Sequence, residues 1–316
     1  MAPLPSLRLL WPSILLAITA ILPPALAHSH INYILINGLL YRGFDPTGRS
    51  GATPANTIGW STTADGDEFV PPSNYSTPDI ICHRDGAPAK SHAPVKAGDR
   101  IHIQWNGWPQ SHHGPVLSYL APCGGSDGCA SVDGAQLNWT KIDNSAPALL
   151  SETGGPPGNW ATDVLIASNN SWLVGIPAGL APGPYVLRHE IIALHYANKP
   201  DGAQNYPQCL NLWVEGETGG GAAVAAGATE VLPGAGATPA TKLYRATDPG
   251  VSVDIYKTLT TYAIPGPTVV SGAAPVAMAE QKMVSLSRGD GTPVLVKGTQ
   301  TVAFPSETPG GHRVRR

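Results

Sequence analysis

Apolar residues in this chain fall into short alternating runs with almost no helical spacing, and clusters of Pro, Gly, Asn and Asp separate the runs. In Arg100 to Trp105 (RIHIQW), Ile101, Ile103 and Trp105 share one face while His102 and Gln104 share the other. A period of two is the signature of a half-buried strand. Val116 to Leu120, Ser171 to Ile176, Tyr185 to His195 and Cys209 to Val214 read the same way. Long stretches such as Tyr41 to Asn74 read as loops. Many short strands with long loops predict an all-β sandwich. The 36 glycines and 32 prolines among 316 residues fit that reading and exclude a helical bundle. Net charge is −3, so no basic excess exists to displace counterions from a nucleic acid, and no such partner is expected.

The first 27 residues read as a secretion signal. Arg8 is followed by an apolar run from Ile14 to Leu22, and Ala25-Leu26-Ala27 fits a small-x-small cleavage site. The run is too short to span a bilayer, and no second apolar run of that kind follows, so no membrane attachment is expected. Cleavage after Ala27 would make His28 the first residue of a secreted, extracellular chain. In an oxidising compartment the four cysteines imply two disulfides, and three pairings are possible. The simplest is Cys123–Cys129, closing a flexible loop, with Cys82–Cys209 tying distant segments. A zinc site is the runner-up, although the spacing lacks a C-x-x-C knuckle. Asn74, Asn138 and Asn169 lie in glycosylation sequons.

Composition shifts after Glu215. Residues 216–241 are dominated by Gly, Ala, Thr and Pro and read as a flexible insertion. Residues 268–316 carry no Cys, no Trp and one Phe, and read as a poorly packed, disordered tail. The expected organisation is a signal at 1–27, one domain at 28–267 and that tail.

The histidines carry the chemistry. An N-terminal His can hold one metal ion through its α-amine and its ring Nδ1 together. The amine pKa of about 7.7–8.0 lets a metal displace the proton near neutral pH. A second imidazole completes a three-nitrogen plane, which suits Cu(II), and a phenol can sit axially. The informative residues are His28, the His112-His113 pair, His189, His195, Gln204 and Tyr206. Gln204 and Tyr206 are two apart, so on an extended segment they face the same way. His189, in mid-strand among apolar residues, reads as a hydrogen-bonded core histidine.

His28, WPQSHHGPVLSYLAPC and PGPYVLRHEIIALHYANKPDGAQNYPQCLNLWVEG, with YRATDPG and IYKTLTTYAIPGP further on, closely resemble fungal lytic polysaccharide monooxygenases of auxiliary activity family nine, formerly glycoside hydrolase family sixty-one. The resemblance implies an immunoglobulin- or fibronectin-III-like antiparallel sandwich with a flat copper-bearing face, one copper per chain and a monomer. It implies His28 and His112 as copper ligands, Tyr206 as the axial tyrosine, and His195 with Gln204 as the pair beside the metal. His113 falls at the variable position of H-x-G-P and is not a ligand. Tyr262 matches a position that stacks on sugar. The implied reaction is oxidation of cellulose or a related β-1,4-glucan at C1 and/or C4, with O2 or H2O2 and an external electron donor, either a small-molecule reductant or a redox enzyme. A hydrolase would need two carboxylates across a cleft, and Glu190 has no evident carboxylate partner, so a structural ion pair with Arg188 is expected. The alternative is a non-catalytic copper- or polysaccharide-binding wall protein of the same fold.

Overall fold

The structure is a computed structural model, and it describes residues 29–48, 57–64, 68–124, 128–215, 232 and 236–282, with the backbone of 294–297 and 300–303. The segment expected to be a signal, His28 and most of the Gly/Ala-rich stretch lie outside the described residues.

Two sheets face each other. The smaller has the order β2 (Leu39–Arg42), β1 (Ile31–Ile36), β4 (Arg100–Trp105), β9 (Ser171–Gly175). The larger has the order β12 (Thr238–Pro239), β6 (Asn138–Asp143), β5 (Val116–Pro122), β10 (Gly183–Ala193), β11 (Gln204–Glu215), β3 (Ser91–Lys96), β13 (Val294–Lys297), β14 (Gln300–Ala303). A two-stranded ribbon, β7 (Leu149–Ser151) with β8 (Asn159–Trp160), leads into the helix α2 (Ala161–Ala167). All these strand pairings are antiparallel except β11 with β3, which run parallel with Leu212 opposite Ala93.

The alternation read from the sequence sets the layers. Ile101, Ile103 and Trp105 of β4 meet Leu187, Ile191 and Ala193 of β10 in one buried core between the sheets. The opposite face of the large sheet is also covered. There Val186 and Ile192 pack with Ile80, Ile81, Trp139, Trp160 and Tyr244 in a second apolar layer that includes the short helix α1 (Asp79–Cys82). Both faces of β10 are therefore dry, and its eleven residues are all buried.

This double burial explains the polar residues of β10. On the outer face Arg188 Nη1 bonds Glu190 Oε2 at 2.6 Å with both side chains wholly buried. The guanidinium also donates to the carbonyls of Ile80 and Ile81, and Glu190 accepts from Asn205 and Tyr244. The pair expected to be structural is thus fully hydrogen-bonded, which is what makes buried charge tolerable. On the inner face His189 is buried, and its Nδ1 lies 3.0 Å from Ser118 Oγ. Burial holds its pKa down at about 3.

Cys82–Cys209 and Cys123–Cys129 are the disulfides, with Cα separations of 5.3 and 5.2 Å. The first fastens α1 to β11.

The domain end expected at Pro267 falls short of the packing. Residues 268–282 run along the open side of the sandwich: Val270 N donates to Lys141 O, and Val270, Ala273 and Met278 pack on the inter-sheet core. Gln281 is buried, and its side-chain amide both accepts from Leu173 N and donates to Leu173 O on β9, standing in for a missing strand. Small apolar residues suffice here because they fill a seam rather than build a new core. Within the expected insertion, Thr238–Pro239 pairs with Trp139 and Asn138 as β12, and Leu232 is buried.

Candidate active site

Strand β11 begins at Gln204, five residues earlier than its alternation at Cys209 to Val214 suggests. The extension puts Gln204, Tyr206 and Gln208 on one face. The Tyr206 hydroxyl donates to Gln204 Oε1 at 2.8 Å, so the phenol keeps a defined direction. Strand β10 ends at Ala193, and His195 stands just beyond it in the turn leading back to β11.

His112 arrives from a different element, the loop between β4 and β5. Its ring stacks on that of His195 with centroids 3.9 Å apart and planes 30° apart. Ser111 Oγ lies 3.1 Å from His112 Nδ1. Trp108 braces the loop: its Nε1 donates to His112 O at 2.9 Å, and its ring meets His112 and Tyr206 edge to face at 5.9 and 5.1 Å. Phe69 closes on Tyr206 from another side at 6.3 Å. The glycine of H-x-G-P has a steric reason: a Cβ on Gly114 would overlap the carbonyl oxygen of Ile192 in β10. Only glycine lets the loop lie that close and brings His112 to His195.

His113 turns to another element, with Nδ1 3.1 Å from Asp163 Oδ2 at the start of α2.

Residues 29–31 converge on the same place. Ser29 Oγ donates to Asn106 Oδ1, His30 N donates to the same oxygen at 3.1 Å, and Ile31 N donates to Gln208 Oε1 at 2.7 Å. Asn106 precedes the loop that bears His112, and Gln208 follows Tyr206 on β11. Ser29 is thereby pinned between the two elements that supply the site.

Among the described residues, no three His, Cys, Asp or Glu side chains form a metal-holding group. The described donors are two buried imidazoles, His112 and His195, and one phenol that donates its proton in a hydrogen bond to Gln204 Oε1. The cysteines are all in disulfides, so no thiolate competes. This nitrogen and phenol set fits a borderline ion of the Cu(II) kind and not a carboxylate-loving one.

Sequence reasoning named His112, His195, Gln204 and Tyr206, and the fold brings these four together. Tyr262 is elsewhere: its hydroxyl donates to Gly250 O at 2.7 Å and its ring meets Trp160 edge to face at 4.9 Å, half-buried in the outer apolar layer. The aromatic side chains that stand open among the described residues are Tyr196 and Tyr256, which the sequence reading missed. It also missed Trp108, Asn106 and Gln208, which touch the site elements without belonging to a periodic pattern.

Auxiliary Activity family 9 (formerly GH61) matches residues 28–262. A lytic polysaccharide monooxygenase A of this family from Talaromyces verruculosus is 48% identical over 264 residues, covering 83% of this chain and 75% of the relative. One from Thermoascus aurantiacus is 49% identical over 246 residues, covering 78% of this chain and 100% of the relative. The extended catalytic domain of Hypocrea jecorina LPMO9A superposes with a TM-score of 0.70 at 46% identity, over 83% of this chain and 98% of that one. The chain belongs to auxiliary activity family 9, the lytic polysaccharide monooxygenases, which are copper-dependent oxidoreductases that cleave polysaccharides oxidatively.

Proposed function

We propose that this protein is a secreted enzyme that cleaves β-1,4-glucan, cellulose foremost, by oxidation at C1 and/or C4, using O2 or H2O2 and electrons from an external donor. The observation that carries the reading is the anchoring of Ser29 between Asn106 and Gln208. His28 is joined to Ser29 by one peptide bond, a Cα step of about 3.8 Å. Removal of residues 1–27 would free its amine beside the elements that bear His112 and Tyr206.

His28 and His112 would hold copper, with the Tyr206 phenol beside them. Copper supplies one-electron chemistry toward O2 or H2O2 when it is bound. The chain supplies the rest. Trp108 fixes the His112 loop, and the Tyr206 hydroxyl stays turned to Gln204 Oε1, to which it donates. Gln204, whose Oε1 is taken by Tyr206, would have its amide N–H groups left to donate at the site, and His195 stacks on His112 and would keep that ring in place. Asn169 is exposed, in a turn with φ 59°, and is the most accessible of the three sequons for a glycan.

The test is mass spectrometry of cellulose incubated with the processed protein, copper and ascorbate. Aldonic acids or C4 ketones are the expected products. Copper uptake with no oxidised sugar would mean a copper-binding wall protein instead.

A further inference from the structure

We propose that Asn106 is a positioning residue of the metal site. It holds the residues that follow His28 and the loop that bears His112 in one register, so that two ligands from distant parts of the chain face one ion. This rests on the copper reading above and names the residue that joins its two halves.

Ser29 and His30 are buried, yet they precede β1 and belong to no strand. Asn106 supplies what a ladder would. His30 N donates to Asn106 Oδ1 at 3.1 Å and Asn106 N donates to His30 O at 3.0 Å, so both backbone groups of His30 close on one residue. The same Oδ1 accepts from Ser29 Oγ at 2.5 Å, and Asn106 Nδ2 donates to His30 Nδ1 at 3.3 Å. Gln208 holds the next step of the chain, where Ile31 N donates to its Oε1.

The other side of Asn106 is tied to His112. Trp105 N donates to Asn170 O at 2.9 Å and Trp108 N donates to Asn170 Oδ1 at 2.9 Å, so the backbone is fixed on both sides of Asn106. Trp108 Nε1 in turn donates to the carbonyl of His112. A continuous set of bonds thus runs from Ser29 through Asn106 and Trp108 to His112. Ordering a loose terminus each time a metal binds would cost backbone entropy, and a terminus already held does not incur that cost. Asn106 is itself exposed, so its side chain serves these bonds and not the apolar core.

The experiment uses the processed chain and needs no turnover. Hydrogen exchange of the metal-free protein reads the amides of His30 and Ile31, calorimetric titration reads Cu(II) affinity, and electron paramagnetic resonance reads the ligand geometry. Asn106→Leu removes the three side-chain bonds. It is expected to speed exchange at residues 30 and 31 about tenfold, the scale of one or two lost hydrogen bonds. Cu(II) binding is expected to weaken about 10- to 100-fold, the effect of losing a group that orients a metal ligand, with an altered copper spectrum. Asn106→Asp keeps the acceptor for Ser29 and His30 and is expected to restore most of the affinity and the wild-type spectrum. The thermal midpoint of the metal-free protein is expected to stay the same in both variants. Wild-type exchange and affinity in Asn106→Leu would overturn the proposal. So would an equal loss in Asn106→Asp, or faster exchange spread over the whole chain, which would make Asn106 a general stabiliser. Copper held as expected by the wild type, with no oxidised sugar released from cellulose, would leave Asn106 in its role and remove the substrate reading instead.

Discussion

The Tyr206 hydroxyl donates to Gln204 Oε1 across 2.8 Å, within one strand and on one face of it. The phenol and the amide are thus a single device, and altering one frees the other. Gln204→Ala is expected to lower oxidative turnover about 10- to 100-fold, the usual effect of removing a group that orients species beside a metal. Copper affinity is expected to change far less. Calorimetric titration alongside product assay checks this, and equal losses in both would count against the assignment.

His112 is the described imidazole that the fold aims at the site from outside β10 and β11. His112→Ala is expected to abolish tight copper binding. Stoichiometric Cu(II) with an unchanged electron paramagnetic resonance spectrum would remove His112 from the ligand set.

The free amine of His28 is the second requirement. Protein carrying one extra Met before His28 is expected to lose tight copper binding and turnover together, as measured by titration and product assay. Full activity would refute the chelate.

Arg188 and Glu190 form a buried pair facing away from His195 and His112, within the outer layer. Breaking such a pair leaves one charge uncompensated and costs about 3–5 kcal/mol. Arg188→Met is expected to lower the unfolding free energy in denaturant titration by that order, with turnover per folded molecule retained. Lost turnover at unchanged stability would instead give the pair a chemical role.

His189 is neutral when folded, because burial holds its pKa at about 3, against 6.5 in an unfolded chain. Below pH 6.5 the unfolded state takes up the proton and the native state does not. The stabilisation is therefore complete above pH 6.5 and is lost as pH falls toward 3, at up to about 1.4 kcal/mol per pH unit. Denaturant titrations between pH 7 and 4 are expected to show falling stability, and His189→Gln is expected to flatten that slope. An unchanged slope in the variant would contradict the assignment.

The strands legible in the sequence were those with one dry face, such as Ile101, Ile103 and Trp105 against His102 and Gln104. Strand β1 (INYILI) went unread because its apolar run is nearly continuous. The β11 extension went unread because Gln204 and Asn205 are polar residues whose burial rests on hydrogen bonds with Tyr206 and Glu190 and not on a core pattern. The four site residues were legible through motif resemblance, since nothing periodic distinguishes His112 from His113; the difference is that Gly114 lets the loop lie on β10. Tyr196 was invisible for the opposite reason. A single exposed ring has no period, and only the fold sets it beside the His195 ring. The seam formed by 268–282 escaped notice because Val, Ala and Met in a Gly/Pro-rich context look like linker until a groove exists to receive them.

The amide of Gln281 has a consequence beyond the single chain. By occupying both hydrogen-bonding positions of Leu173, it blunts an outer strand that would otherwise offer itself as a template to a neighbouring copy. A version trimmed ahead of Gln281 would bare that ribbon, and crowded molecules would then zip together along it. What reads as linker in the sequence is a cap on the sheet's outer strand.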